Sequence, residues 1–89
     1  FGGSGQGEAM MANRFLGVRA TVFYGGDESI ISLSREHNDA NVLSIGTRFV
    51  AIDDAKRVIW QWLHVAAGTD EKYERRNQKI DQFTKAFYA

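Results

Sequence analysis

The stretches Val18-Arg19-Ala20-Thr21-Val22-Phe23 and Asn41-Val42-Leu43-Ser44-Ile45 decide the fold of this 89-residue chain. Both are short and rich in β-branched and other apolar residues, which favours strands. Between them, Gly25-Gly26-Asp27 indicates a turn, and Asp27 is a suitable cap for a helix that continues to about Glu36. Because strands and helices alternate in this way, the sequence predicts an α/β fold in which helices cover a parallel sheet.

Further helices are expected on both sides of this central unit. A short helix over about residues 7–15 precedes the first strand, and Gly17 is suited to end it. After the second strand, which Gly46 ends, Asp53 and Asp54 favour the first turn of another helix, because carboxylates there interact well with the helix dipole. Its apolar positions, in a 3-4-4 spacing, are Ile52, Ala55, Ile59 and Leu63.

The last part of the chain predicts one more helix. Gly68 is suited to end the preceding helix, and Thr69 or Asp70 to cap the next one, which should run nearly to Ala89. An apolar stripe on this last helix is expected to face inwards, and Arg76 lies at its edge, where a cation needs an anionic partner. The stripe consists of Tyr73, Ile80, Phe83 and Phe87.

Composition excludes several classes of function. The chain has 11 Lys and Arg and 11 Asp and Glu, so its formal net charge of zero leaves no basic excess for binding along a nucleic acid. It contains no cysteine, which excludes disulfides, thiolate metal sites and a thiol nucleophile and favours the cytoplasm. Its longest apolar runs are only a few residues, too short for a membrane span.

The opening, Phe1-Gly2-Gly3-Ser4-Gly5-Gln6-Gly7-Glu8, is a glycine-rich loop. Four of the nine glycines lie in the first seven residues, and a loop of this kind normally follows a strand and opens a helix. Two strands are also too few for a stable sheet. We therefore expect residues 1–89 to be the C-terminal part of one domain, with N-terminal strands missing. The alternative, a flexible Gly/Ser linker or tag, is disfavoured because a plausible helix follows directly at Glu8.

Two segments of the chain carry a resemblance to a known family. The first is Gly2–Glu8 with Ala12-Asn13 and Gly17-Val18-Arg19-Ala20 after it, and the second is Ser34-Arg35-Glu36-His37-Asn38-Asp39-Ala40-Asn41 with Gly46-Thr47-Arg48 after it. They resemble the glycine loop and the His-Asn segment of the ribose-5-phosphate isomerase B and galactose-6-phosphate isomerase family. The resemblance implies a three-layer Rossmann-like α/β fold, no metal and no organic cofactor, and a homodimer or tetramer with sites between subunits. The family's Asp-His segment has no counterpart among these residues.

The family interconverts aldose and ketose phosphates through an enediolate, and the resemblance implies roles for the glycine loop. Glu8 matches the acid that one branch uses as the base at carbon 2, a role that burial favours, whereas many other members have a cysteine base where Gly2 stands. The turn from Gly3 to Gly7 should balance the oxyanion with backbone amides, and Ser4 should bind a sugar oxygen or carry a proton between O1 and O2. Without the resemblance, Glu8 is an ordinary first-turn carboxylate and the loop a nucleotide-binding turn.

The His-Asn segment and the last helix supply the other expected site residues. His37 would open the furanose ring by protonating its oxygen, because imidazole titrates near neutral pH; otherwise it is a helix cap or a surface residue. Lys72 and Arg76 share a helix face and match two arginines that hold the phosphate, although lysine cannot make a planar bidentate contact. Asn38 would hold hydroxyl groups or the enediolate, and Arg48 matches an arginine that reaches the neighbouring subunit's site. The expected substrate-binding residues are therefore Gly3, Gly5, Gly7, Asn38, Arg48, Lys72 and Arg76.

The remaining notable side chains are expected to serve packing. Trp60 and Trp62 lie on different faces of their helix and are assigned to the core or to a subunit contact. Met10 and Met11 are assigned to the core. His64 lies outside any motif and is given a structural role.

Three functions remain open on the sequence alone. Isomerisation of ribose 5-phosphate to ribulose 5-phosphate is the simplest, and a hexose 6-phosphate handled by the same residues is the second. The third is a module that binds nucleotides or sugar phosphates without chemistry. The joint presence of Glu8, His37, Asn38 and Arg76 argues against the third, since a binding module has no need of that set.

Overall fold

The computed structural model describes residues 1–88, in which helices and strands follow one another in the predicted order. The two strands pair in parallel, with Phe23 of the first opposite Ile45 of the second, so the predicted α/β fold with a parallel sheet is confirmed. The elements are α1 Gln6–Ala12, β1 Ala20–Phe23, α2 Ser29–Glu36, β2 Val42–Ile45, α3 Ile52–His64 and α4 Glu71–Tyr88.

The glycine-rich opening extends this sheet by a single parallel bridge, which joins Gly2 to Gly46. The Gly2 N–H donates to Ile45 O at 3.1 Å, and Gly2 O accepts from the Thr47 N–H at 2.8 Å. The Gly46 N–H instead donates to Phe23 O of β1, so Ile45 and the residue after it bond to opposite neighbours. The loop therefore starts at the C-terminal end of β2, on the side away from β1.

Helices cover both faces of the sheet, as the three-layer expectation requires. α1 packs on both strands and, within residues 1–88, approaches neither α2 nor α3, which pack on each other and on the opposite face. Burying an aliphatic side chain of the core fully contributes roughly 1.5–3 kcal/mol, so a small cluster suffices to anchor α2 and α3 on the sheet. That cluster is Phe23, Ile31, Ile45, Ala55 and Val58.

α4 meets the rest of the chain through side chains of its first turns and leaves most of its apolar stripe uncovered. Among the described residues, its backbone makes no close approach to another helix or strand. Ile80, Phe83 and Phe87 are 50%, 69% and 75% exposed, so the expectation that their stripe faces inwards is wrong for the single chain. Arg76 is likewise exposed and is not a buried cation. Helical spacing predicts which side of a helix is apolar, but not whether the same chain covers that side.

Several residues that we expected in the core are exposed instead. Met10 and Met11 on α1 are both 65% exposed, so their assignment to the core is wrong. On α3, Trp62 packs half-buried against the core as expected, whereas Trp60 points outwards. The exposed large side chains of these two helices are Met10, Met11, Ile52, Trp60 and Leu63.

Two helix ends differ from the expectation. α1 ends at Ala12 instead of near residue 15, and α3 ends at His64 instead of at Gly68. Gly68 has another role, because its N–H donates to Glu36 O at 3.1 Å and a side chain there would collide with that carbonyl group. The absent side chain lets the connection between α3 and α4 approach the C-terminal end of α2 closely.

Asp27 and Asp70, both predicted to cap helices, each accept a backbone N–H at the start of a helix, although the N-cap residue of α2 is Glu28, the residue after Asp27. Asp27 Oδ1 accepts the Ser29 N–H at 2.9 Å, and this hydrogen bond lowers the pKa of Asp27. Asp70 Oδ1 accepts a backbone N–H of the first turn of α4 at 3.0 Å, so Asp70 and not Thr69 caps that helix. The far end of the prediction, at Ala89, lies outside the described residues.

Candidate active site

The glycine loop is held tightly against the end of β2. Gly5 is buried and has a φ of 77°, a left-handed conformation that glycine adopts without strain, and α1 follows it directly. Ser44 Oγ donates to Gly5 O at 2.8 Å, and a side chain on Gly5 would stand 3.0 Å from that hydroxyl oxygen. A side chain on Gly46 would collide with the backbone oxygen of Ser4. These contacts fix the position of the loop and of the first turn of α1.

Glu8 folds back over the start of this loop. It lies in the first turn of α1, and its carboxyl group fills the space that a side chain on Gly2 would need. According to the resemblance, other members of the family have a cysteine base at the position of Gly2. In this chain, the carboxyl group of Glu8 occupies the space that the side chain of such a cysteine would take. Glu8 is exposed in the single chain, so the single chain does not supply the burial that favours a base there.

Polar groups of the loop beside Glu8 lack a partner within the protein. Ser4 Oγ accepts the Gln6 N–H at 3.2 Å. Within residues 1–88, the backbone N–H groups of Gly3, Gly7 and Glu8 donate no hydrogen bond. These groups lie around the N-terminal end of α1, where unpaired amides and the helix dipole favour a negative charge. The loop thus presents a hydroxyl group and free amides next to a carboxylate.

Arg48 lies beside the same loop. Its N–H donates to Gly3 O at 3.0 Å, and its Nη2 is 3.1 Å from the point where a side chain on Gly3 would begin. The guanidinium group therefore lies close to the glycine loop of its own chain, and the reach to a neighbouring subunit's site that the resemblance implies stays a prediction. We call Gly2–Gly7, Glu8 and Arg48 the loop group.

A second set of expected residues meets at the C-terminal end of α2. His37 caps this helix, and its ring stacks on Tyr73 with the centroids 4.0 Å apart and the planes at 18°. Asn77 Nδ2 donates to His37 O at 3.0 Å, and Asn38 Nδ2 donates to Asn77 Oδ1 at 3.4 Å. Because Tyr73 and Asn77 lie one turn apart, α4 contacts the His-Asn segment through two neighbouring side chains.

Lys72 and Arg76 join this set through Tyr73. Lys72 Nζ is 4.9 Å and Arg76 Cζ is 5.9 Å from the centroid of the Tyr73 ring. An exposed cation–π contact of this kind contributes about 0.5–1 kcal/mol. The sequence analysis did not predict the contacts of Tyr73 or of Asn77. The available signal for Tyr73 was its position in the sequence between the two expected cations, Lys72 and Arg76. We call the set the helix group: His37, Asn38, Lys72, Tyr73, Arg76 and Asn77.

The loop group and the helix group lie at opposite ends of the sheet. The loop group meets the C-terminal end of β2 at Gly46. His37 lies shortly before the N-terminal end of β2, because α2 connects the end of β1 to the start of the parallel strand β2. At about 3.3 Å per residue, β2 and its flanking residues separate the two groups by roughly 15 Å. A single chain therefore does not bring Glu8 and His37 together.

Comparison with known proteins decides the family. The family model described as Ribose/Galactose Isomerase matches residues 1–82. This chain belongs to the ribose/galactose isomerase family. The resemblance read from the sequence is thus confirmed. Ribose-5-phosphate isomerase B of Escherichia coli (strain K12) is 37% identical to this family member over 82 residues, which make up 92% of this chain and 51% of that protein.

Solved structures of the ribose/galactose isomerase family have the same fold as this chain. The ribose-5-phosphate isomerase B of Clostridium thermocellum aligns with a TM-score of 0.88 at 34% identity, over 96% of this chain and 55% of that chain. The enzyme of Mycoplasma genitalium with bound ribulose 5-phosphate aligns with a TM-score of 0.86 at 31% identity, over 93% and 53% respectively. This chain spans about half the length of the relatives that it matches.

In this member of the family, a cavity of about 350 Å³ lies between β1 and α4 and borders the helix group at Asn38. Ile80, Asp81 and Thr84 of α4 line one side of it. No residue of the loop group lines it, so this cavity does not bring the expected catalytic set together. Residues 1–88 hold no cluster of three or more side chains suited to bind a metal, and none of their helices is long and apolar enough to cross a membrane.

Proposed function

We propose that residues 1–89 are the C-terminal part of a single sugar-phosphate isomerase domain and that the protein converts ribose 5-phosphate into ribulose 5-phosphate. The observation that carries the proposal is the carboxyl group of Glu8, which lies over Gly2 beside the free amides of the loop. Family membership and relatives that are ribose-5-phosphate isomerases B support the same reaction. Neither a metal nor an organic cofactor enters the proposed reaction. We place the protein in the cytoplasm, in keeping with a sequence that contains no cysteine.

The first proposed step opens the furanose ring, and His37 serves it. Ribose 5-phosphate closes its ring through O4, so opening breaks the bond between C1 and O4. His37 donates a proton to O4 while the hydroxyl group on C1 loses its proton to water, which leaves an aldehyde at C1 and a hydroxyl group at C4. Imidazole suits this step because it takes up and releases protons near neutral pH. Asn38 holds the substrate's hydroxyl groups.

The second proposed step moves a hydrogen from C2 to C1. Glu8 removes the proton from C2, and the electron pair passes into the carbonyl group to give an enediolate with its negative charge on O1. The free amides of the loop stabilise that charge, and Ser4 carries a proton from O2 to O1. Glu8 then returns its proton to C1, so a carbonyl group forms at C2 and a ketose is released.

Lys72 and Arg76 hold the phosphate group in this proposal. They stand one turn apart on the exposed face of α4, beside His37. The planar fork of Arg76 can bind two phosphate oxygens at once, whereas Lys72 supplies a point charge. Arg48 adds positive charge beside the loop at the other end of the substrate.

The proposed site needs a second copy of the chain, in a homodimer or a tetramer. The two groups stand roughly 15 Å apart within one chain, so one sugar phosphate reaches both only where the helix group of one copy faces the loop group of another. The exposed apolar side chains of α1 and α4 supply a surface for that contact. They include Met10, Met11, Ile80, Phe83 and Phe87.

Kinetic assays on the protein expressed from its own gene test the proposed function. We expect kcat/KM for ribose 5-phosphate to exceed that for galactose 6-phosphate by about tenfold or more, with the intact mass recorded on the same sample. A larger value for the hexose phosphate would favour the second candidate substrate. Calorimetric binding of nucleotides without any turnover would favour a binding module instead.

Substituting Gly2 with Ala should displace the Glu8 carboxyl group at little cost in stability. The atoms that collide with the new side chain belong to the end of a flexible side chain, so Glu8 moves and the backbone does not. We expect kcat to fall roughly tenfold and the free energy of unfolding to change by no more than about 0.5 kcal/mol, measured by steady-state kinetics and urea unfolding. If the loss acts through Glu8, adding Gly2→Ala to Glu8→Gln lowers kcat no further. Full additivity of the two losses would contradict this placement.

A further inference from the structure

We infer that Tyr73 is a positioning residue that orients the imidazole of His37 for ring opening, an inference that rests on the proposed isomerase function. The two rings are nearly parallel at 18°, with centroids 4.0 Å apart, and both residues are half-buried. Within residues 1–88, neither ring nitrogen of His37 takes part in a hydrogen bond. The stack with Tyr73 is therefore the contact that sets the ring plane, and both nitrogens at the ring's edge stay available to a substrate.

The backbone beneath this imidazole is already fixed by neighbouring residues. Asn77 Nδ2 donates to His37 O at 3.0 Å, and the Gly68 N–H donates to Glu36 O at 3.1 Å. What these hydrogen bonds leave free is rotation about the side-chain torsions of His37. Tyr73 removes that freedom, because a parallel aromatic face allows only orientations in which the imidazole lies flat on it.

The chemistry of the substrate explains why one aromatic ring should contact both the imidazole and the cations. In ribose 5-phosphate the ring oxygen O4 is bonded to C4, and the phosphate is carried on the adjacent C5. A group that protonates O4 must therefore stand close to the groups that hold the phosphate. Tyr73 meets this need, since its ring stacks on His37 and lies 4.9 Å from Lys72 Nζ and 5.9 Å from Arg76 Cζ.

The other histidine provides a control within the same chain. The sequence has two histidines, and His64 stacks on Trp60 with centroids 4.1 Å apart at 21°. Its Nδ1 atom lies 2.7 Å from Trp60 O, so one of its nitrogens is engaged by the backbone. Replacing Trp60 therefore removes a similar stack from a histidine that has no part in the proposed reaction.

Kinetics in the two directions separate a role in ring opening from a general structural role. Ribulose 5-phosphate carries its phosphate on O5, which prevents closure to a five-membered ring, so the reverse reaction starts from an open chain. We expect Tyr73→Leu to lower kcat from ribose 5-phosphate about tenfold more than kcat from ribulose 5-phosphate, because an aldose formed in the reverse reaction can leave as an open chain and close its ring in solution. The equilibrium constant fixes the ratio of the two kcat/KM values, so KM for ribose 5-phosphate should fall relative to KM for ribulose 5-phosphate. Tyr73→Phe keeps the stack and should leave both kcat values within about twofold of the unmodified protein. Trp60→Leu should leave the ratio of the two kcat values unchanged.

Nuclear magnetic resonance of the two imidazoles checks the stack independently of activity. In Tyr73→Leu, the ring C–H resonances of His37 should lose their ring-current shift while those of His64 stay in place. In Trp60→Leu, the His64 resonances should shift and the His37 resonances should stay in place. Unmoved His37 resonances, or an equal loss of kcat in both directions of the reaction, would overturn the inference. An unmodified protein that shows the stack but no isomerase activity would overturn the proposed function and this inference with it. A larger loss of kcat from the aldose than from the ketose, with the His37 resonances shifted, supports both.

Discussion

Replacing Glu8 with Gln is expected to lower kcat for ribose 5-phosphate by about a thousandfold while KM changes little. The amide keeps the size of the side chain that lies over Gly2, but it cannot accept the proton from C2. Because one enediolate serves both directions, the rates from ribose 5-phosphate and from ribulose 5-phosphate should fall alike. Steady-state kinetics in both directions measure this effect.

Asp53→Asn is the matched control for the loss at Glu8. Asp53 is also an exposed carboxylate in the first turn of a helix, in this case α3. Both changes remove a favourable interaction with a helix dipole of about 0.3–1 kcal/mol, but only Glu8 stands at the glycine loop. Near-normal turnover in Glu8→Gln, or an equal loss in Asp53→Asn, would contradict the role of Glu8 as the base.

Replacing Arg76 with Ala is expected to raise KM for ribose 5-phosphate roughly thirtyfold and to change kcat by no more than about threefold. The proposed phosphate contact is made in the ground state and in the transition state alike, so its loss weakens binding more than chemistry. Inhibition by inorganic phosphate should weaken by a similar factor. Both values come from steady-state kinetics over a range of substrate and phosphate concentrations.

Arg75→Ala is the control that separates a defined contact from general positive charge. Arg75 is the preceding residue of α4 and is equally exposed, but it makes no contact with the Tyr73 ring among the described residues. Its loss should leave KM within about twofold, since an exposed charge without a fixed partner contributes little. An equal rise in KM for both variants would mean that the phosphate responds to the charge of the helix and not to Arg76.

The sheet was predictable from the sequence because its signals are local. The β-branched runs over 18–23 and 41–45 contain β1 and β2, and their order around a helix implies parallel pairing. The strand boundary at Ala20 was less predictable, because it depends on the side chain of Asn13, whose Oδ1 accepts the Ala20 N–H at 2.7 Å. The end of α3 was predicted wrongly because Gly68 does not end the helix. It instead allows a close contact with the backbone of Glu36.

The site was predictable in its residue types and only partly in its arrangement. A helix between parallel strands returns the chain to the starting edge of the sheet, so the separation of His37 from Glu8 follows from topology alone. The stack of His37 on Tyr73 does not, because it depends on the path of the connection before α4. The exposure of Phe83 was not predictable either, since what covers an apolar helix face need not belong to the same chain.

The most direct test of the shared site is complementation between two defective variants. Glu8→Gln and Arg76→Ala are co-expressed, and the heterodimer is assayed at ribose 5-phosphate concentrations below KM. If one copy supplies Glu8 and the other supplies Arg76, each heterodimer contains one intact site and one doubly defective site. A random mixture of dimers should then regain about one quarter of the unmodified activity. Activity no higher than the average of the two variants alone would contradict a site built from two copies of this chain.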